Sequence, residues 1–158
     1  VEEYVKRSQS SGVDGLLTLD LPPEEATELV EASRVHGMKN IFIVAPTTPE
    51  SRIPTIVESA SGFLYYVSRE GVTGERKDLA GDLAERVGAI RKFSDLPVVV
   101  GFGVSTPRQV SSVSEVADGV VVGSALVNCI AENLSNPGSI PQAIGNRAAD
   151  LVSGLTSA

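Results

Sequence analysis

The sequence predicts an α/β fold in which parallel strands alternate with helices. Short apolar runs alternate with amphipathic stretches, the runs are continuously hydrophobic, and their starts lie about 20 to 35 residues apart. Five such units leave two architectures open, a doubly wound open sheet or part of a (β/α)8 barrel. A leading helix with no strand before it, and a first residue other than methionine, favour the partial barrel and a missing N-terminal part.

The predicted strands are the five runs rich in Val, Ile, Leu, Phe and Tyr. They are Val13–Leu19, Asn40–Ala45, Phe63–Val67, Val98–Phe102 and Gly119–Val122. Their hydrophobicity is continuous rather than alternating, which is typical of parallel strands whose two faces are both covered.

Helices are predicted before, between and after these strands. They are Glu2–Ser10, Pro23–His36, Glu50–Ser59, Leu79–Phe93, Thr106–Val116, Ser124–Leu134 and a last one from Pro137 to about Leu151. Thr106 and Ser124 are the expected capping residues of their helices, and Pro54 is expected to shorten or kink its helix. We expect residues 1–158 to be the C-terminal portion of a single barrel domain.

Composition excludes several classes of protein. The chain has 158 residues, 42% hydrophobic and 21% charged, which is typical of a globular domain. No apolar run approaches the roughly 18 to 20 residues of a membrane helix. The net charge is −7 and no basic patch is present, which argues against a nucleic-acid partner. A single cysteine and the lack of a signal peptide agree with a cytoplasmic location.

Two glycine-containing turns follow the last two predicted strands, where ligands bind in both architectures. Gly103 precedes the helix that begins at Thr106, and Gly123 and Ser124 open the next helix. Glycine lets a backbone approach an anion closely, and helix N-termini attract negative charge. Each turn alone is weak, since Gly and Ser are common structural residues there. Two in succession predict a phosphate site.

Other candidate residues are weaker. Residues 68–76 form a long polar loop with two glycines, which could close over a ligand. Asp20 follows the first predicted strand and could be catalytic or order the loop, but the stronger interpretation is an ordinary turn residue. His36, the only histidine, fits a surface role at a helix end, and Cys129 fits a buried structural thiol. No cluster of residues has the spacing of metal ligands.

The loop sequences resemble the tryptophan synthase alpha chain family. The resemblance rests on Asp20-Leu21-Pro22, on Ser68-Arg69-Glu70-Gly71-Val72-Thr73-Gly74, on Gly101-Phe102-Gly103-Val104-Ser105 and on Gly123-Ser124-Ala125, in order and at fitting distances. It extends from Val1 to about Leu151. It implies strands four to eight of a (β/α)8 barrel. It also implies a retro-aldol cleavage of indole-3-glycerol phosphate to indole and glyceraldehyde 3-phosphate without a cofactor, and a beta-chain partner in an alpha2-beta2 assembly.

The resemblance also implies roles for individual residues. Thr73 matches the tip of a mobile loop that closes on the substrate. Gly74, Gly103, Gly123 and Ser124 match phosphate contacts. Residues matching positions that line the indole pocket are Leu17, Ile43, Tyr65 and Phe102. Asp20 and Pro22 match the loop that faces the beta chain.

The two catalytic carboxylates of the family, a glutamate and an aspartate, match positions before residue 1. The chain alone is therefore expected to lack activity. Two alternatives stay open. One is another phosphate-binding barrel, a lyase or isomerase with its own base or lysine at a strand end. The other is a non-catalytic flavodoxin-like module that binds a phosphorylated ligand or a partner. Strand order separates the second alternative from a barrel.

Overall fold

The structure is a computed structural model that describes residues 1–68, 77–101 and 103–157. Its strands are β1 (Gly15–Leu17), β2 (Lys39–Val44), β3 (Leu64–Val67), β4 (Val98–Gly101) and β5 (Gly119–Val121). Its helices are α1 (Glu2–Ser10), α2 (Thr27–Val35), α3 (Ile53–Ser59), α4 (Lys77–Arg91), α5 (Pro107–Ser114), α6 (Ser124–Glu132) and α7 (Ile140–Val152). Short 3₁₀ segments are Pro23–Glu25, Glu50–Arg52, Pro137–Ser139 and Ser153–Ser157.

The strands are parallel and follow one another in chain order. β1 pairs with β2, β2 with β3 and β4 with β5, and the order of the sheet is β1-β2-β3-β4-β5. The N–H of Leu64, which begins β3, donates to the C=O of Pro97, just before β4, over 2.9 Å. A doubly wound sheet reverses its order at a switch point. The sequential order therefore confirms the barrel-type prediction and excludes the flavodoxin-like one.

The chain divides into two compact units, of which the first contains Val1–Val67 and Gly88–Val98. Leu64 and Tyr66 of β3 are buried, whereas Tyr65 and Val67 are only half-buried. Since neighbouring side chains in a strand point to opposite faces, one face of this strand is well covered and the other is not. One core cluster of the unit comes from α1, β1, α2 and the residue before β2, namely Val5, Leu16, Leu29, Ala32 and Met38.

The second unit contains Ser68–Val87 and Val99–Ala158. Val110 and Val113 of α5 are buried in it, as is Leu151 of α7. The 3₁₀ segment Ser153–Ser157 packs tightly on the start of α5, because a Cβ added to Gly154 would overlap the carbonyl group of Pro107. Gly154 therefore permits a close approach of two backbone segments that a larger residue would prevent.

One predicted helix start is confirmed in outline and one is wrong. Pro54 shortens its helix, as expected: α3 begins at Ile53, after the 3₁₀ segment Glu50–Arg52, and Pro54 lies in its first turn, where an N–H has no partner within the helix. The N-cap of α6 is Gly123, and Ser124 is the first helical residue.

Across residues 1–68, 77–101 and 103–157, no helix combines the length and apolar character needed to cross a bilayer.

Candidate functional site

Two turns leave the sheet side by side after β4 and β5. Gly101 and Val121 are register partners in these parallel strands, and Gly103 and Gly123 each follow two residues later. Neighbouring strands lie about 4.8 Å apart, so both turns begin at the same carboxyl edge. The structure therefore brings the predicted residues Gly103, Gly123 and Ser124 to one edge of the second unit.

The α5 turn, residues 103–106, is closed by its own hydrogen bonds. The side-chain oxygen Oε1 of Gln109 accepts from the backbone N–H of Ser105 at 2.8 Å and of Thr106 at 3.0 Å. The N–H of Gln109 donates in return to Oγ1 of Thr106 at 3.3 Å, which completes a capping box. The predicted cap at Thr106 is confirmed. Two of the four N–H groups of the turn are used, and those of Gly103 and Val104 have no hydrogen-bond partner among the residues that the structure describes.

The α5 turn is also held from outside. The carbonyl oxygen of Ser105 accepts a hydrogen bond from Nη2 of Arg147 on α7. The other terminal nitrogen of that guanidinium, Nη1, contacts Oδ2 of Asp150 at 2.7 Å. Gly103 has a positive φ of 69°, and the side chain of Val104 is buried. The turn therefore has a closely defined backbone conformation.

The α6 turn, residues 122–125, is open. Gly123 and Ser124 are exposed, and within the described residues no side chain caps this helix. The N–H groups of Leu126 and Val127 donate to the carbonyl oxygen of Gly123 at 2.9 and 3.2 Å. The N–H groups of Ser124 and Ala125 lie before them, at the positive end of the helix dipole. A Cβ on Gly123 would meet nothing within 4 Å, so space for a ligand adjoins these donors.

Three of the four predicted pocket residues share one face of the strands in the first unit. Ile43 and Tyr65 are register partners, and Leu17 pairs with Ile41, which lies on the same face as Ile43. Leu17 is 45% exposed, whereas Ile43 and Tyr65 are half-buried. Burial raises the pKa of the Tyr65 phenol, because the charged form is poorly solvated there. This row therefore presents an apolar surface with one neutral hydroxyl.

The loop after β1 is an exposed surface. Leu19 is 73% exposed and Asp20 is also exposed, while Pro22 is half-buried and accepts a hydrogen bond from the N–H of Glu25 at 3.0 Å. Glu24 forms an ion pair with Arg52 over 2.9 Å. A single exposed apolar side chain is ordinary on a protein surface, so the geometry alone does not mark this loop as a contact surface.

The remaining candidate residues fall outside these features. Thr73, Gly74 and Phe102 lie outside the described residues. His36 is half-buried at the end of α2, near the amino edge of β2, and its buried Nε2 has no hydrogen-bond partner among the described residues. Cys129 is half-buried in α6, and its Sγ lies 3.4 Å from the carbonyl oxygen of Ala125. In the described ranges no group of His, Cys, Asp or Glu side chains is placed to hold a metal ion.

Sequence reasoning did not identify Gln109, Arg147 or Gly154 as residues that shape the site. Gln109 has a recognisable signal, because threonine followed three residues later by glutamine is a capping-box pattern. Arg147 lies 42 residues after Ser105, and nothing in its local sequence marks the contact. The same holds for the close packing of Gly154 on Pro107.

Comparison with known proteins identifies the family. The profile of the family described as tryptophan synthase alpha chain matches residues 1–151. The chain is 56% identical over 154 residues to a tryptophan synthase alpha chain from Opitutus terrae, covering 98% of this chain and 58% of that protein. It is 43% identical over 139 residues to one from Methanocaldococcus jannaschii, covering 88% of this chain and 50% of that protein.

Solved structures agree with the profile. The fold matches a chain from a structure of the Pyrococcus furiosus tryptophan synthase a2b2 complex with a TM-score of 0.81 and 35% identity, over 96% of this chain and 60% of that one. It matches a chain of Mycobacterium tuberculosis tryptophan synthase with a TM-score of 0.79 and 33% identity, over 97% of this chain and 55% of that one. The parallel strands in sequential order are therefore part of a (β/α)8 barrel.

These matches cover nearly all of this chain but only part of each relative. The chain spans between one half and three fifths of the length of the curated relatives described above. The family profile covers all but the last seven of its 158 residues. The chain belongs to the tryptophan synthase alpha chain family.

Proposed function

We propose that this chain is the phosphate-binding part of a tryptophan synthase alpha chain. The whole protein would be a carbon–carbon lyase that cleaves indole-3-glycerol phosphate to indole and glyceraldehyde 3-phosphate in a retro-aldol reaction without a cofactor. The observation that carries the proposal is the pair of turns at Gly103 and Gly123, which begin side by side on neighbouring strands. The proposed setting is the cytoplasm.

The α6 turn supplies the stronger part of the proposed phosphate site. Its N–H groups at Ser124 and Ala125, the hydroxyl of Ser124 and the helix dipole all favour an anion in the open space beside Gly123. The α5 turn adds the N–H groups of Gly103 and Val104. Gly74 is proposed as a further donor and Thr73 as part of the loop that closes over the substrate. The site needs no lysine or arginine in contact with the phosphate.

The indole ring is proposed to contact the apolar row of Leu17, Ile43 and Tyr65, together with Phe102. The row is incompletely covered, so it offers apolar area to a ligand. The Tyr65 hydroxyl is neutral around pH 7, as a free tyrosine already is, and burial raises its pKa further. A neutral tyrosine side chain suits an uncharged aromatic ring better than a phenolate would.

In this proposal the chain binds and orients the substrate, while acid–base chemistry comes from upstream residues. On the family resemblance we propose that the glutamate and the aspartate of the reaction match positions before residue 1. Positioned acids and bases typically contribute about 10²–10⁴-fold each to a rate. The 158 residues alone should therefore bind phosphate but release no measurable indole.

The proposed partner is a tryptophan synthase beta chain in an alpha2-beta2 assembly. The exposed loop with Leu19, Asp20 and Pro22 is the proposed contact surface. The ion pair between Glu24 and Arg52 would limit the freedom of that loop before association. A solved relative from Pyrococcus furiosus is described as an a2b2 complex, which supports this choice of partner.

The test is a chimera in which this sequence follows the upstream part of the Opitutus terrae alpha chain. The purified chimera should release indole from indole-3-glycerol phosphate, and the isolated 158-residue chain should not. A folded chimera without activity would reject the proposed reaction. Indole release by the isolated chain at a rate near that of the chimera would reject the division of roles.

A further inference from the structure

We propose that Arg147 and Gln109 are positioning residues of the phosphate site, acting through the backbone of Ser105. The inference rests on the proposed function, because it concerns how the α5 turn presents its donors to the phosphate. Neither side chain is proposed to touch the ligand. Each acts by fixing the backbone two residues after Gly103.

Ser105 is held at both of its backbone polar groups. Its N–H donates to Oε1 of Gln109 at 2.8 Å, and its carbonyl oxygen accepts from Nη2 of Arg147. The Ser105 hydroxyl also lies 3.2 Å from the same Gln109 oxygen. The two supporting side chains come from different helices, α5 and α7. Rotation of the Ser105 backbone would therefore break at least one of these bonds.

These bonds fix two successive peptide planes. The plane between Val104 and Ser105 contains the N–H held by Gln109. The next plane contains the carbonyl held by Arg147 and the Thr106 N–H, which also bonds to Gln109 at 3.0 Å. Because peptide groups are planar, only the dihedral angles of Gly103 and Val104 remain free.

The angles of Val104 are restricted as well, because its side chain is only 3% exposed and its packing resists rotation of the backbone. Gly103 has a φ of 69°, which glycine adopts without strain, so the glycine itself adds no resistance to rotation. The direction of the Val104 N–H therefore follows from the position of Ser105, and the Gly103 N–H is guided through its link to Val104. Preorganised donors bind an anion better than donors that must first be ordered.

The guanidinium fork matters more here than its charge. Nη1 of Arg147 pairs with Asp150 at 2.7 Å while Nη2 bonds to Ser105, so the carboxylate offsets the charge and orients the planar group. A lysine at this position has the charge without the fork. The Arg147→Lys variant therefore separates a positioning role from a general electrostatic one.

The experiment is a titration of the isotope-labelled 158-residue chain with inorganic phosphate, followed by the amide NMR signals of Gly103 and Ser124. Arg147→Met should weaken phosphate binding about tenfold and reduce the Gly103 response more than the Ser124 response. Gln109→Met should act in the same direction. Arg147→Lys should recover only part of the loss.

Gln142→Met is the matched control, since it removes an exposed side-chain hydrogen bond to Asn146 on the same helix. It should leave both amide responses unchanged. Unaltered phosphate affinity in Arg147→Met would reject the inference alone. Equal losses at Gly103 and Ser124, with a lower unfolding temperature, would assign Arg147 a merely structural role and also reject it. Full recovery in Arg147→Lys would reject the fork in favour of charge. No phosphate binding by the unmodified chain would overturn the proposed site itself.

Discussion

The α5 turn and the α6 turn follow neighbouring strands and share a glycine, a hydroxyl side chain and a helix start, yet they are built differently. In the α5 turn, Gln109 accepts hydrogen bonds from two backbone N–H groups, and Arg147 donates one to a backbone carbonyl. In the α6 turn, the corresponding third helical position holds the apolar Leu126, and no described side chain caps the helix. The α5 turn, which is held by side-chain hydrogen bonds, can present a few N–H donors in fixed directions. The α6 turn has no such bonds and leaves most of its N–H donors for a ligand.

The variant with the largest expected effect tests whether the α6 turn is the main anion site. Gly123→Leu should lower the phosphate affinity by roughly 100-fold or more, because the side chain would occupy the space beside the helix donors. The fold should survive, since a Cβ at Gly123 meets no other atom within 4 Å. Isothermal titration with glycerol phosphate measures the affinity.

Gly88→Leu is the control for that experiment, because Gly88 also has open space around its Cβ but lies in α4. It should bind the ligand as the unmodified chain does. If Gly123→Leu also binds normally, the anion site is elsewhere and the α6 turn has been misinterpreted.

The second prediction tests the support that the α5 turn receives from the packing of Gly154 on the start of α5. Gly154→Ala should lower the free energy of unfolding by about 2 kcal/mol, because the methyl group would overlap the Pro107 carbonyl. Gly145→Ala in the middle of α7 has open space and should raise it by about 0.5–1 kcal/mol. Urea denaturation measures both. Equal changes in the two variants, or no loss of stability in Gly154→Ala, would contradict the close packing.

The third effect compares the two turn glycines. Gly103→Ala should cost about 1–2 kcal/mol of stability, because alanine is strained at a φ of 69°. Gly123→Ala should cost nothing through strain, because its φ is −115°. Thermal unfolding of the two variants checks this difference. A Gly103→Ala variant as stable as the unmodified chain would show that the backbone of the α5 turn relaxes readily and is not held in one conformation.

The smallest effect separates capping from ligand binding. Thr106→Ala should lower the free energy of unfolding by about 1 kcal/mol, because it removes half of the capping box. Ser124→Ala should leave stability unchanged but weaken phosphate binding about fivefold, through the loss of one hydroxyl contact. Denaturation and titration of both variants provide the check. The opposite pattern would mean that Ser124 is structural.

Local sequence patterns were sufficient for most of the fold. Continuous apolar runs located all five strands to within a few residues, because the strands of a parallel sheet carry few polar side chains on either face. Proline and threonine signals located the start of α5, where the cap at Thr106 is confirmed. The signal at Pro54 is confirmed as a shortening of the helix, because α3 begins at Ile53 rather than at Glu50 and the proline lies in its first turn.

The candidate site was less completely predictable. The common edge of Gly103 and Gly123 follows from parallel pairing and is borne out by the register of β4 and β5. The difference between the two turns was not predicted, although the residue three places after Thr106 carries the signal. The contact of Arg147 with Ser105 could not have been predicted, because it joins residues 42 positions apart without any repeating pattern.

The distance between Arg147 and the α5 turn has a consequence for how the protein is made. The strand, the turn and α5 are synthesised first, and their local capping box can form at once. The arginine that holds the Ser105 carbonyl is added 42 residues later. During synthesis on the ribosome the α5 turn therefore exists for a time with only half of its support. Its final geometry, and with it this part of the binding surface, is therefore set only after α7 has left the ribosome and packed against the turn.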